Sequence, residues 1–117
     1  MPNVVLAYRE RTLNGIVNEL ESSHPKVGRF RATTYGEDIA HILQQKPAVV
    51  LVDANVEKGL GICEYVKTNP QLGKTHTIYF ARDKKETYPQ NPNVNQWYLK
   101  GAYNPRVVVR SVQHILN

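Results

Sequence analysis

Residues 47–61 read PAVVLVDANVEKGLG, and the fold follows from how this stretch is read. Val49 to Val52 form an unbroken apolar run that stops at one carboxylate, Asp53. A short apolar run bounded by polar residues describes a strand buried on both faces, as in a parallel sheet. A loop follows, and then a helix opens near Gly59. The strand therefore delivers Asp53 to the carboxyl edge of the sheet, where open α/β sheets build their sites.

The flanking sequence supplies the rest of such a sheet. Asn3 to Ala7 reads as a first buried strand that stops at Tyr8-Arg9-Glu10. Leu13, Ile16, Val17 and Leu20 recur at helical spacing and predict an amphipathic helix over about 10–22, weakened slightly by Gly15 and ended by Ser22-Ser23-His24-Pro25. Val27 to Thr33 alternates Arg29 and Arg31 with Phe30 and Ala32, the pattern of an edge strand. Thr34 to Lys46 predicts a helix with Ile39, Ile42 and Leu43 inward, closed by Pro47. Ile62, Cys63 and Val66 face inward on a helix from Gly59 to Thr68, stopped by Asn69-Pro70. Thr77 to Ala81 is a fourth strand and Gln96 to Leu99 a fifth. The polar segment between them, RDKKETYPQNPNVN, carries two prolines and leaves no room for a full helix. Asn104-Pro105 makes an N-cap and first turn for a last helix lined by Val108, Val112 and Ile115. Five strand–helix units with the fourth helix degraded predict an α/β domain with right-handed crossovers and helices on both faces.

Composition narrows the function classes. The 117 residues form one domain, 1–117, with a core large enough to stand without staples. A single cysteine, Cys63, excludes an internal disulfide and fits a reducing cytoplasm, the expected location. No apolar run approaches the ~20 residues of a membrane helix, and Met1 to Glu10 lacks the pattern of a signal peptide. The net charge of +5 permits an acidic or nucleic-acid partner, with Arg29, Arg31, Arg106 and Arg110 as candidate contacts. The longest run of like charge is only Lys84-Lys85, so a solvated basic surface is the plainer account. His24, His41, His76 and His114 lack metal-ligand spacing. There is no Ser-His-Asp order, P-loop or glycine-rich dinucleotide loop, and Tyr8 to Thr12 has no glycine to cradle a flavin phosphate. No enzyme activity is expected.

With these elements in order, the chain resembles the receiver domain of two-component response regulators, the CheY-like family. Tyr35-Gly36-Glu37-Asp38 followed by IAHILQQKPAVVLVD is similar to the family's approach to its phosphorylated aspartate. Gly61 lies eight residues beyond Asp53, Lys100 follows the fifth strand, and Trp97 stands three residues before that lysine, all as in receivers. The resemblance implies a flavodoxin-like three-layer fold, with a five-stranded parallel sheet in the order 2-1-3-4-5, in which Pro89 and Pro92 leave the fourth helix short or missing. It casts Asp53 as the phosphoacceptor-equivalent, Lys100 as its neighbour and Trp97 as the switch aromatic. Their plainer readings are a carboxylate capping its loop or pairing with Lys100, a solvated lysine, and a half-buried surface tryptophan.

Several positions depart from the family pattern. Receivers end the first strand with two acids that hold magnesium; here Tyr8 and Arg9 stand there, and Glu10 is one place too far along. Ala81 replaces the hydroxyl residue at the end of strand four. Glu57 stands near the position of the loop proline, and Gly101 replaces the proline after the lysine. Magnesium wants several hard oxygen ligands, so no metal or other cofactor is expected. Arg9 either pairs with Asp53 or points to solvent. The sequence thus predicts an atypical receiver that works by protein–protein interaction, with pocket residues Tyr8, Arg9, Glu10, Ala81 and Lys100 around Asp53. The implied partners are a histidine kinase or output domain and a second copy of the chain, with Tyr88, Tyr98 and Tyr103 as exposed aromatic contacts. The alternatives are a conventional phosphoacceptor at Asp53 controlling a DNA-binding output domain, or a basic domain touching nucleic acid directly.

Overall fold

The computed structural model describes residues 4–8, 13–23, 27–31, 34–87 and 91–116. The strands are β1 (Val4–Tyr8), β2 (Val27–Arg31), β3 (Val49–Asp53), β4 (His76–Ala81) and β5 (Gln96–Leu99). The α-helices are α1 (Asn14–Ser23), α2 (Tyr35–Gln45), α3 (Gly59–Thr68) and α4 (Pro105–Leu116). All strands run parallel in the order β2-β1-β3-β4-β5, so the order 2-1-3-4-5 holds and β2 and β5 are the edges.

β3 and nearly all of β4 are buried on both faces, and their alternation sorts the core into two layers. Val50, Val52, Tyr79 and Ala81 meet Ile42 of α2 and Ile62, Cys63 and Val66 of α3. Val49, Leu51, Ile78 and Phe80 meet Ile16, Val17 and Leu20 of α1 and Val108, Val109 and Val112 of α4. Each fully buried aliphatic side chain stabilises the fold by roughly 1.5–3 kcal/mol, so the two layers together dominate its energetics. Burial raises the Cys63 thiol to about 12, as suits a small core residue with no thiolate chemistry.

Local chemistry sets the ends of the elements. Thr34 caps α2 by accepting the Glu37 N–H at 3.2 Å, and Lys46 ends it in the left-handed conformation, donating its N–H to Ile42. Gly59 opens α3 against the end of β3. A Cβ there would stand 3.2 Å from the Asp53 carbonyl, the Tyr79 ring and the Val52 methyl. Only glycine lets the helix approach the strand this closely.

Three boundaries differ from the sequence reading, and the expected end of β2 lies outside the described residues. β1 runs through Tyr8, because its pairing with β2 continues to Tyr8↔Arg31. α1 begins at Asn14, and residues 9–12 lie outside the described residues. β2 ends at Arg31, with Ala32 and Thr33 outside the described residues. β4 starts one residue early, because the His76 N–H reaches the Ala48 carbonyl at 2.8 Å. Between β4 and β5 the described residues hold one 3-10 turn, Lys84–Thr87, and no α-helix.

Candidate functional site

β3 ends by carrying the Asp53 carboxyl to the carboxyl edge, where it is 1% exposed. Two donors converge on Oδ1: the Lys100 ammonium at 3.0 Å and the Asn55 backbone N–H at 2.8 Å. Lys100 is held in place by its own backbone, whose N–H donates to the Ala81 carbonyl at 2.9 Å and so extends the β4–β5 ladder. Directly after it, Gly101 turns the chain at φ 76°. Proline is locked near φ −65°, so the family's proline is incompatible with this turn. Oδ2 of Asp53 is buried and has no hydrogen-bond partner among the described residues.

Three further groups gather at this edge: Arg82, which the sequence did not single out, and Tyr103 and Glu57, in roles that it did not assign them. Arg82 leaves the end of β4 and donates from Nη2 to the Ala54 carbonyl at 3.0 Å, which ties the β4 exit to the residue after Asp53. Tyr103 is half-buried; desolvation and then the negative charge of Asp53 raise its hydroxyl above the usual phenol range. Glu57 reaches across to α2, where its Oε2 accepts the Tyr35 N–H at 2.7 Å. A carboxylate suits the positive end of a helix dipole, and Lys58 completes the clasp by lying 5.3 Å over the Tyr35 ring. The only sequence signal for these was polar residues following each strand end; their convergence is tertiary.

The other expected site residues are placed as follows. Ala81 is fully buried, its side chain packed with Val52, Ile62 and Cys63, so it lines the core beneath the edge. In β1, Ala7 pairs with Val52, which brings the Tyr8 backbone level with Asp53. Arg9 and Glu10 lie outside the described residues, as does Tyr88. Trp97 pairs in register with Tyr79 and is 41% exposed. The aromatic expectation is corrected: Tyr98 and Tyr103 are not exposed contacts but pack on Phe80, with ring centroids 5.7 and 5.1 Å away. Strand alternation turns Tyr98 toward α4 and leaves Trp97 on the opposite face, where no α-helix among the described residues covers it.

The described acids at this edge already accept hydrogen bonds. Oδ1 of Asp53 already accepts from an ammonium and an amide, Glu57 is engaged by Tyr35, and Asp83 accepts the Lys85 N–H at 2.9 Å. Among the described residues no three acidic, histidine or cysteine side chains gather to hold a metal. Among the described residues no helix is long and apolar enough to cross a membrane.

No family model matches the sequence, and no curated protein is similar to it. Solved structures do match. A response regulator from Desulfuromonas acetoxidans superposes with a TM-score of 0.76 at 15% identity, over 99% of this chain and 97% of that one. The chemotaxis response regulator CheY4 of Vibrio cholerae gives 0.74 at 16% identity, over 98% and 99%. A response regulator from Thermotoga maritima gives 0.73 at 17%, over 99% and 98%. At such identities the likeness is one of architecture: the chain has the fold of CheY-like receiver domains.

Proposed function

We propose that the chain is a receiver-like signalling module that acts through protein–protein contacts, without the standard magnesium-dependent phosphorylation of an aspartate. The observation that carries this reading is the state of Asp53. Its carboxylate is held by Lys100 and Asn55, at an edge where no three acidic, histidine or cysteine side chains gather among the described residues. Phosphoryl transfer needs the charge developing on the phosphoryl oxygens to be neutralised, and a divalent cation ordinarily supplies much of that. Here one ammonium faces the carboxylate, and the sequence puts Tyr8 and Arg9 where receivers carry the metal-binding acids. Ala81 has no hydroxyl to follow a phosphoryl group.

On this reading Asp53 and Lys100 form a fixed strut between the ends of β3 and β5. The module then presents its surface constitutively to a kinase or output-domain partner, and its role is binding and not catalysis. Incubation with acetyl phosphate and magnesium, followed by mass spectrometry, is expected to leave Asp53 unmodified. Formation of a hydroxylamine-sensitive phosphoryl adduct at Asp53 would overturn the reading in favour of a conventional phosphoacceptor.

A further inference from the structure

At the opposite end of the sheet, where β4 and β5 begin, a groove of about 530 Å³ opens between the strands and α4. Small-molecule sites typically span about 300–1,000 Å³. β4 separates this groove from the Asp53 edge by its full length, about 17 Å at 3.3 Å per residue. We propose that it binds a small organic anion, a carboxylate carried on an apolar body.

The floor of the groove is a built polar network. Gln96 Oε1 accepts from Ser111 Oγ at 3.0 Å and from His76 Nε2 at 3.1 Å. With its oxygen facing both partners, the Gln96 amide turns its N–H groups away from them. Those N–H groups have no partner among the described residues.

The wall comes from one face of α4. Arg110 and His114, one turn apart, put two further donor groups beside the network. Arg110 forms no ion pair among the described residues, and no carboxylate lines the groove. Desolvation, followed by the charge of Lys67, holds the His76 imidazole below its ordinary value after the opposing effect of Gln96, so Arg110 carries the fixed positive charge. Val107, which is 52% exposed, and Ile115 supply the apolar part of the same face. Donors without acids select an anion, guanidinium favours a planar carboxylate, and the aliphatic pair selects a ligand with a hydrocarbon body over a bare ion.

The test is amide NMR with octanoate as the probe, set against acetate, which has the charge alone, and octan-1-ol, which has the body alone. Octanoate is expected to give saturable shifts at Gln96, Arg110, Ser111 and His114, with a Kd of about a millimolar for so few atoms. Octan-1-ol and the Arg110→Gln variant should each bind about tenfold more weakly, the worth of one charge-assisted contact, and acetate, which lacks the apolar body, should give no saturable shift. Arg110→Lys should restore much of the affinity. Octan-1-ol binding as tightly as octanoate, an Arg110→Gln variant with unchanged affinity, or no saturable shift at all would overturn the proposal. So would an acidic, leucine-bearing peptide that shifts these residues where octanoate does not, since that outcome assigns the groove to a protein partner.

Discussion

The two crossovers that flank β4 reach the same end by different means. From β3 to β4 the chain returns through α3, which puts Ile62, Cys63 and Val66 into the core against Val52 and Tyr79. From β4 to β5 the described residues offer one 3-10 turn, and the return is held by polar contacts to a single threonine. Thr77 donates its N–H to Asn95 Oδ1 at 2.9 Å and its hydroxyl to the Asn93 carbonyl at 2.7 Å, and it accepts the Asn95 N–H on its own carbonyl at 3.0 Å. Asn91 braces the same turn by accepting from Asn93 and Val94. A crossover helix is therefore dispensable to this sheet, provided the strand it delivers is an edge strand with its entry clamped. The consequence is an open face: β5 is only part-buried, while β3 and nearly all of β4 are buried.

The Asp53–Lys100 pair joins the ends of β3 and β5, the strands on either side of β4, and breaking it gives the largest expected effect. Lys100→Met removes the cation and leaves a buried carboxylate uncompensated, which costs about 3–5 kcal/mol. Asp53→Asn in the same chain should recover most of that loss, because a neutral amide no longer needs the ammonium. Urea unfolding of both single variants and the double variant measures it. If Lys100→Met alone is nearly neutral, the strut is a solvated contact and the two crossovers are independent.

Next comes the helix-backed crossover. Ile62→Ala leaves a cavity under α3 and is expected to cost about 2–5 kcal/mol. The clamp-backed crossover should cost less: Thr77→Val keeps the shape, removes the hydroxyl and strands the Asn93 carbonyl, for about 1–3 kcal/mol. If the order of these two is reversed, packing does not distinguish the crossovers. Cys63 adds a pH test on the α3 side. Its thiol is raised in the folded state from 9.0 to about 12, so it stays protonated while an unfolded thiol ionises. The unfolded state then binds fewer protons, and this group's contribution to stability falls as pH rises from about 9 toward 12. Comparison with Cys63→Ala isolates that slope, and native Cys63 should resist a thiol reagent at pH 8.

How much of this is written in the sequence depends on whether a feature is local. Val49 to Asp53 and Gly59 to Thr68 are legible because an apolar run and a helical repeat survive any tertiary context. The loss of the fourth helix is legible for the converse reason: Arg82 to Asn95 has no apolar repeat to bury. Lys100 can be set against Asp53 because both follow strand ends that a parallel sheet brings to one edge. Arg82, Tyr103 and Glu57 are not legible in their roles, since each depends on where a side chain lands across the fold. Tyr98 and Trp97 show the limit most clearly. They are adjacent aromatics, and one packs on Phe80 while the other is open, which is settled by strand phase and by which neighbouring helix exists.

Trp97 therefore carries the smallest stability effect and the most direct reading of the open face. It is 41% exposed on the side that lacks a covering helix among the described residues. Trp97→Ala should change stability by no more than about 0.5–1 kcal/mol, far less than truncation of a core aromatic at about 3–5 kcal/mol. As the chain's one tryptophan, it also reports on its surroundings. Iodide should quench its fluorescence efficiently in the native state, and a partner that docks on β5 should suppress the quenching. A large loss of stability in Trp97→Ala, or a native tryptophan shielded from iodide, would show that the face between β4 and β5 is closed. The contrast between a packed and an open crossover would then fail at the residue that expresses it most strongly.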